Sequence, residues 1–234
     1  EYKFFKQNNI KGVIQMTQEV LQIERSIKER REWDVKLTNY WLTMLILAPI
    51  TLGIYPLVLF FKQVIRVDKF IQRKRKYYSE VINYTEKYLK ENNYFDEYQH
   101  KFNELKNSYN DIFLRECKEL NILLALLLSF VTLGIYGIYF NYRLNRIWDD
   151  LQKFEEEFYD KLNLIWSKVD IIKYPINFRY DSSKKRSFIV NILLTVVSFG
   201  LWSIVWQYKL WTDPDNLYSE FHTAEDTVLN AIRK

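Results

Sequence analysis

The 234-residue sequence has little of the chemistry that most enzymes and metalloproteins use. Its single cysteine, Cys117, excludes a disulfide within the chain. Its two histidines, His100 and His222, are far apart, and neither has cysteines or carboxylates at metal-ligand spacing. A phosphate-binding loop, a dinucleotide fingerprint and a G-x-S-x-G motif are also missing from the sequence. We therefore expect no catalytic, cofactor-binding or metal-binding residues and predict that the protein is not an enzyme.

Charge is missing from three long stretches. No Asp, Glu, Lys or Arg occurs in residues 37–61, 120–142 or 187–208, although 27% of all residues are charged. A helix needs roughly 20 apolar residues to cross the hydrocarbon core of a bilayer. The pattern therefore predicts an all-α membrane protein rather than three buried helices of a soluble core.

The charge outside these stretches is mostly positive. The net charge of +5 favours an anionic partner, and a lipid bilayer with anionic headgroups is the one expected here. No groove-reading or RNA-binding motif accompanies the basic residues, so nucleic acid is not expected as a partner. The first 36 residues also lack the basic-then-apolar pattern of a secretory signal.

Glycine is scarce, with five in the chain, yet three glycines occupy the same place in the three charge-free stretches. The aligned segments are APITLGIYPLVLFFK at 48–62, SFVTLGIYGIYFNYR at 129–143 and TVVSFGLWSIVWQYK at 195–209. In each, Thr or Ser precedes the glycine by two residues, and an aromatic residue follows it by two. The residues predicted to form a bend in each segment are Gly53, Gly134, Gly200, Thr51, Thr132, Ser198, Tyr55, Tyr136 and Trp202.

These segments allow two membrane arrangements. A straight helix of about 21 residues is about 32 Å long and would span the bilayer. Alternatively, the glycine divides each run into two arms of about 15 Å, and both ends return to the same face. Basic residues near membrane segments prefer the cytoplasmic side. The connectors before and after the second segment are both basic, and spanning helices would place them on opposite faces of the membrane. Hairpins place both connectors on the same face and are therefore favoured. The residues predicted to contact lipid headgroups are Lys62, Arg66, Arg73, Lys74, Arg75, Lys76, Arg143, Lys184, Lys185, Arg186 and Lys209.

The remainder of the chain predicts amphipathic helices, because apolar residues recur every three or four positions. One stripe runs from Leu144 to Ile172 and is expected to end before Pro175, while Asp213 and Pro214 are expected to begin the last helix. The stripes could pack on one another or lie flat on lipid. The predicted segments are an N-terminal helix at 1–37, membrane segments at 38–62, 120–143 and 187–210, a helical hairpin connector at 63–119, a long helix with a polar linker at 144–186, and a C-terminal helix at 211–234.

The T-x-G-I-Y core with its aromatic-basic exit resembles a motif that occurs, often in tandem, in uncharacterised prokaryotic membrane domains of unknown function. The second copy, TLGIYGIYF at 132–140, fits best. The third copy departs from it with Ser198, Phe199, Leu201 and Trp202. The resemblance covers under a quarter of the chain; it implies membrane insertion and no particular activity.

Together these features predict a non-enzymatic, membrane-embedded scaffold that self-associates as a homo-oligomer to shape or organise the membrane, with its polar helices on the cytoplasmic side. The alternative is a pore or a subunit of a larger membrane complex, whose lining would include the weak polar stripe Asn191, Thr195 and Ser198. The acidic stretch 155–160 and His222 are expected on solvated helix faces. Cys117 is expected to be buried in a helix face or acylated near the membrane.

Overall fold

The computed structural model describes residues 18–34, 36–37, 39–52, 54–132 and 135–233. These residues form helices and loops without a β-strand, which confirms the predicted all-α class. Gly53, Gly134 and the first 17 residues of the predicted N-terminal helix lie outside the described residues.

The helices follow one another with short connections, except for residues 167–187 between α7 and α8. In chain order they are α1 at 18–28, α2 at Arg30–Trp33, α3 at Tyr40–Ile50, α4 at Ile54–Glu91, α5 at Phe95–Ser108, α6 at Ile122–Val131, α7 at Ile135–Trp166, α8 at Phe188–Val197 and α9 at Leu201–Ile232. Helix α3 consists of Tyr40–Leu42, the π-helical turn Thr43–Leu47 and Ala48–Ile50, and α5 is followed by the π-helical turn Tyr109–Phe113 and the short helix Leu114–Glu116. A 3₁₀ turn at Ser182–Lys184 precedes α8.

Each glycine-centred segment is a short helical arm, a tight turn and the start of a long helix. We call these hairpin 1 (α3 and α4 as far as Lys62), hairpin 2 (α6 and α7 as far as Arg143) and hairpin 3 (α8 and α9 as far as Lys209), and we call each turn a tip. The long helices α4, α7 and α9 continue without a break beyond the hairpins, into residues that were predicted to form separate segments. Within the described residues, no helix combines the length and the apolar character that a bilayer crossing requires.

The three long helices run parallel, so all three tips lie at one end of the bundle. Near the opposite end, the Trp166 indole donates to the Thr85 hydroxyl at 2.9 Å. Both residues lie 32 positions beyond their own glycines, at 134 and 53. Phe70 of α4 packs against Trp148 of α7 and Phe221 of α9, with ring centroids 5.3 and 5.1 Å apart. The central core of the bundle is therefore built by the three repeats side by side.

The short arms are arranged around the long helices with approximate threefold regularity. Each arm packs on its own long helix and also on the long helix of another hairpin: α3 on α9, α6 on α4 and α8 on α7. The Tyr40 hydroxyl of α3, for example, donates to the Ile204 carbonyl of α9 at 3.1 Å. The Phe188 ring of α8 lies 5.5 Å from Tyr142 of α7. The three hairpins thus form one contiguous unit.

The amphipathic stripes of the remaining segments pack into this bundle. After a turn at 92–94, α5 returns along α7, and α1 packs on the bundle through Ile23 and Ile27, both of which are buried. Residues 167–187 then lead back toward the hairpins, with Phe178 stacked on Phe221 at 5.1 Å and the Arg186 carbonyl bound to Asn145. Of the two alternatives for the stripes, packing on one another is the one the structure shows.

Two predicted helix boundaries are wrong. The stripe helix α7 ends at Trp166, although Val169 and Ile172 beyond it are still buried. Asp170 adopts a left-handed conformation with φ 57°, and the Asn163 side chain bonds the backbone of Ile176 in both directions, at 2.9 and 3.0 Å. The chain therefore leaves the helix and still covers the core.

The predicted start of a separate C-terminal helix at Pro214 is also wrong, because this proline lies inside α9. A proline within a helix leaves the carbonyl four residues earlier without its usual N–H partner. That carbonyl, of Leu210, accepts instead from the Gln63 amide at 3.0 Å, and the next one, of Trp211, accepts from Arg66 at 3.1 Å. Side chains of α4 thus replace the lost helical hydrogen bond.

Candidate functional site: the hairpin end of the bundle

The exposed apolar side chains of the described residues are concentrated on the three hairpins. At the tips, Leu52 is 91% exposed and Phe199 98%, and Phe130, in the last turn of α6 beside the second tip, is 86% exposed. Away from the hairpins, the exposed large apolar residues are isolated, as with Leu21, Leu164 and Tyr174. Soluble monomers rarely show contiguous apolar patches larger than a few hundred Å². An apolar end formed by three adjacent hairpins is therefore a candidate interaction surface.

The hydroxyl two residues before each glycine links the two helices of its hairpin. Thr132 Oγ1 donates to the Leu128 carbonyl at 2.7 Å, which caps the end of α6, and accepts from the Tyr136 N–H at 2.9 Å, which caps the start of α7. Thr51 Oγ1 likewise donates to the Leu47 carbonyl at 2.6 Å and accepts from the Tyr55 N–H at 3.0 Å. Ser198 Oγ accepts from the Trp202 N–H at 2.8 Å, but donates to the carbonyl three residues earlier, of Thr195, at 3.3 Å. Each hydroxyl thereby gives a partner to an N–H at the start of its long helix, which an apolar environment would leave unpaired.

In hairpins 1 and 3, the residue immediately before the glycine takes the left-handed backbone conformation. Leu52 and Phe199 both have φ 50°, a region that is unusual for bulky side chains. Gly200 follows with φ 90°, and its N–H donates to the Thr195 carbonyl at 2.7 Å in a Schellman-type helix end. Asparagine or glycine would fit positions 52 and 199 with less strain. Two large apolar side chains are therefore presented outward at a conformational cost.

Replacing Thr132 by valine should destabilise hairpin 2 by about 1–2 kcal/mol, because it removes the cap of α7 and the side-chain bond to α6 while preserving shape. The measurement is the free energy of unfolding from a denaturant titration. Thr223→Val is the control: this exposed hydroxyl of α9 bonds the Ser219 carbonyl alone, so its loss should change stability by less than about half as much. Equal effects of both substitutions would show that the tip bonds contribute nothing special.

The aromatic residues two positions after the glycine are held inside the hairpins. Tyr55 packs beside Tyr40 and Trp211, and Tyr136 packs on the main core. The Trp202 indole donates to the Asn191 side-chain oxygen at 2.9 Å, and the Lys209 ammonium lies 5.6 Å from the Trp202 ring. These rings brace the arms against the long helices.

The residues of the predicted polar stripe form hydrogen bonds within hairpin 3. Asn191 is 7% exposed and accepts from Trp202, Thr195 donates to the Asn191 carbonyl at 2.7 Å, and Ser198 caps the tip. These three polar side chains therefore stabilise hairpin 3 by hydrogen bonds within it.

The predicted headgroup ligands divide into two groups. Lys62, Arg143, Lys185 and Lys209 lie at the bases of the hairpins, with exposed or half-buried side chains. Arg186 lies there too, but is bound to Asp213 at 3.1 Å and the Ser183 carbonyl at 2.8 Å. The side chain of Lys184 is outside the described structure.

The headgroup prediction is wrong for Arg66, Arg73 and Lys74. Their side chains are 0–1% exposed and pair with carboxylates inside the bundle. Arg75 and Lys76 are partly exposed, but they lie about 33 Å along α4 from the tip and pair with Glu119 and Glu29. The basic run 73–76 is thus divided. Arg73 and Lys74 lie in the core, and Arg75 and Lys76 form salt bridges on the side of the bundle.

The buried bases belong to a network in the middle of the bundle. Arg73 binds Asp34 at 3.0 and 2.6 Å and both oxygens of Glu225 at 2.9 Å. Lys74 binds Glu155 at 2.7 Å and Glu225 at 2.8 Å. Three carboxylates therefore share two basic side chains, and all five side chains are 0% exposed. The network joins the residue after α2 to α4, α7 and α9.

The acids of this network differ in their proton affinity. Burial raises the pKa of Glu155 to about 7, and its single cation, Lys74, offsets part of that rise. Burial would also raise the pKa of Glu225, but Arg73 and Lys74 together lower it to about 2. Glu155 therefore has less neighbouring positive charge to compensate its burial than Glu225 has. Tyr78 also donates a hydrogen bond to Glu155.

Two of three further expectations, for the acidic stretch 155–160 and for His222, differ in part from the structure, and the third, for Cys117, agrees with one of its alternatives. Glu155, at the start of the acidic stretch, is buried rather than solvated, and His222 binds Asp34 at 2.7 Å while stacking on Tyr218. Cys117 is fully buried, and burial raises the pKa of its thiol, which fits the buried alternative and not acylation. No local sequence pattern predicts the network, because its members come from four separate segments.

Comparisons with known proteins identify one segment. A family model described as a domain of unknown function, DUF4234, matches residues 120–163, which cover hairpin 2 and most of α7. No curated protein matches the chain, and no solved structure matches it. The family match is consistent with an uncharacterised domain family centred on one of the three repeats.

Proposed function

We propose that the protein is a non-enzymatic membrane scaffold whose three hairpins insert into one leaflet while the helical bundle remains in water. The observation that carries the proposal is the apolar end of the bundle, where Leu52, Phe130 and Phe199 are 86–98% exposed at or beside the three tips. In water this surface would be costly to leave uncovered, whereas hydrocarbon would accept it.

The local structure of the tips supports insertion. Hairpins in hydrocarbon must satisfy their backbone groups internally, and the Thr51, Thr132 and Ser198 hydroxyls each bridge the two helices of a turn. The strained left-handed Leu52 and Phe199 are also more easily understood if their side chains are needed where they point, because less costly residues exist for a turn in water.

The dimensions favour a wedge in one leaflet. An arm of ten residues, such as Ile122–Val131, is about 15 Å long and reaches through about half of the hydrocarbon core. The three long helices run parallel, so all hairpins enter from the same side. Added volume in one leaflet bends a membrane, and association of several copies would extend the effect. We place the basic, helical side of the protein in the cytoplasm, following the preference of Lys and Arg for that side.

The pore alternative draws less support. Its candidate lining, Asn191, Thr195 and Ser198, has hydrogen bonds to partners within hairpin 3. A polar stripe satisfied in this way stabilises helix contacts rather than offering free groups to a permeating ion.

Charging the tips should abolish membrane binding. In the triple variant Leu52→Asp, Phe130→Asp and Phe199→Asp, we expect partitioning into phosphatidylcholine vesicles to fall at least about 100-fold, since an Asp within hydrocarbon costs about 2.5–3.5 kcal/mol. Vesicle flotation measures the bound fraction. Because these side chains are exposed, the helical circular dichroism and the unfolding midpoint should change little.

A second triple variant separates position from polarity. Leu21→Asp, Leu164→Asp and Tyr174→Asp places the same three charges at exposed apolar residues away from the hairpins. It should float with vesicles as the unmodified protein does, and electron microscopy of both should show the same deformation of the vesicles. Insertion would be refuted if the tip variant floated as well as the control, and curvature would be refuted if the unmodified protein bound without changing vesicle shape.

A further inference from the structure

A basic cleft lies beside hairpin 2, where the end of α5 and the loop before α6 meet the first turns of α7. Its volume is about 230 Å³, room for roughly eight water molecules. The walls include the cationic side chains of Arg115, Lys118 and Arg143 and the rings of Tyr136 and Tyr139. Guanidinium, ammonium and phenol groups are the donors that bind phosphate oxygens in proteins.

The acids near the cleft are already engaged. Glu119 also lines it, but binds Arg75 at 3.0 Å and the Gln72 amide at 3.1 Å. Glu116 pairs with Arg146 at 3.6 Å. Two carboxylates are thus matched by two arginines, and the three cations of the walls remain as excess positive charge.

The cations of the walls have donors to spare. Neither the Arg115 side chain nor the Lys118 side chain makes a hydrogen bond or ion pair with any other residue that the structure describes. Arg143 uses Nη2 to hold the carbonyls of Glu116 and Lys118, at 3.0 and 3.5 Å, and this fixes the loop that forms one wall. Its other nitrogens remain for a ligand, because a guanidinium carries five N–H groups.

The cleft also has a polar and an apolar end. Arg143 lies nine residues after the glycine of its tip, about 14 Å along α7, whereas Tyr136 and Tyr139 lie closer to the tip. Beside them on the same helix, Ile135 and Ile138 are 71% and 58% exposed. A ligand with a phosphate at one end and a hydrocarbon chain at the other would match this polarity. Free phosphate would use the basic end alone.

We infer that this cleft binds the phosphate of an anionic phospholipid headgroup, with the acyl chains running beside hairpin 2. The inference rests on the proposed insertion of the hairpins and makes it selective for lipid charge. Lys62 and Lys209 occupy the corresponding positions of hairpins 1 and 3. In hairpin 2 the segment between α5 and α6 adds Arg115 and Lys118 to that single base.

The test is the double variant Arg115→Glu and Lys118→Glu in the full chain. Flotation is compared between phosphatidylcholine vesicles and vesicles in which phosphatidylglycerol replaces part of that lipid. The unmodified protein should prefer the anionic vesicles, and the variant should lose about 30-fold or more of that preference, at roughly 1 kcal/mol for each basic residue lost near the surface. Binding to phosphatidylcholine alone should be unchanged, because the tips are unaltered.

The control changes the same net charge elsewhere. Lys168→Glu and Lys173→Glu reverses two exposed lysines of the segment after α7, and it should retain the preference. An equal loss in both variants, or no preference in the unmodified protein, would overturn the inference while leaving insertion into phosphatidylcholine intact. Inorganic phosphate or glycerol phosphate that abolished the preference at low concentration would also overturn the assignment to lipid. Failure to bind phosphatidylcholine at all would instead refute the proposed function.

Discussion

Replacing Arg73 by methionine is expected to lower the free energy of unfolding by about 3–5 kcal/mol, the usual cost of breaking a buried ion pair from one side. Its guanidinium makes two hydrogen bonds to Asp34 and two to Glu225, and all three side chains are 0% exposed. Without it, Lys74 alone would have to balance the buried acids of α7 and α9, and Asp34 would keep the partly exposed His222. Unpaired buried charge is costly because the protein interior solvates it poorly.

Denaturant unfolding of the full chain measures this effect, and the neighbouring arginine supplies the control. Arg75 is two residues away on the same helix, is 41% exposed and has one ion pair, with Glu119. Arg75→Met should therefore cost less than about 1 kcal/mol. Limited proteolysis should also show earlier cleavage between α2 and α3 in Arg73→Met, because Asp34 would lose its main anchor. Similar stability losses in the two variants would mean that the network contributes no more than a surface pair.

Much of this architecture follows from local patterns in the sequence. The three-to-four-residue apolar spacing predicts the helices, and Asn92 and Asn93 mark the turn between α4 and α5. The Thr or Ser before each glycine marks the break in each charge-free run, since a hydroxyl can cap one helix and begin the next. These features depend on residues close together in the chain.

The charged interior depends on residues far apart, which is why the sequence interpretation missed it. Lys74 and Glu155 lie 81 residues apart, and each is 21 positions beyond its own glycine. Phe221 occupies that position in the third repeat, and the Lys74 ammonium lies 4.7 Å from its ring. Comparing the repeats beyond their 15-residue core would bring these residues together, whereas the basic run 73–76 on its own suggests a solvated surface. The prediction that a helix begins at Pro214 failed for the same reason. Gln63 and Arg66, from another helix, bond the carbonyls that the proline leaves without their usual partner.

The network also predicts an unusual dependence of stability on pH. Glu225 has its pKa lowered from 4.5 to about 2, so it stabilises the fold above pH 4.5 and loses that contribution as the pH falls toward 2. Glu155 has its pKa raised from 4.5 to about 7, so between those values the folded protein keeps a proton that the unfolded chain releases. Stability from Glu155 therefore declines as the pH rises through that window, by up to about 3 kcal/mol for a shift of this size.

Glu155→Gln should remove that decline. An amide keeps the size of the side chain and an oxygen acceptor for Lys74, but does not titrate, so the variant should lose less stability than the unmodified protein between pH 5 and about 8. The readout is the difference in slope, because any lost contact with Tyr78 shifts the whole curve equally. Glu156→Gln, at the partly exposed next position, should retain the original slope. If Glu155→Gln and the unmodified protein declined in parallel, the proton would lie elsewhere in the network.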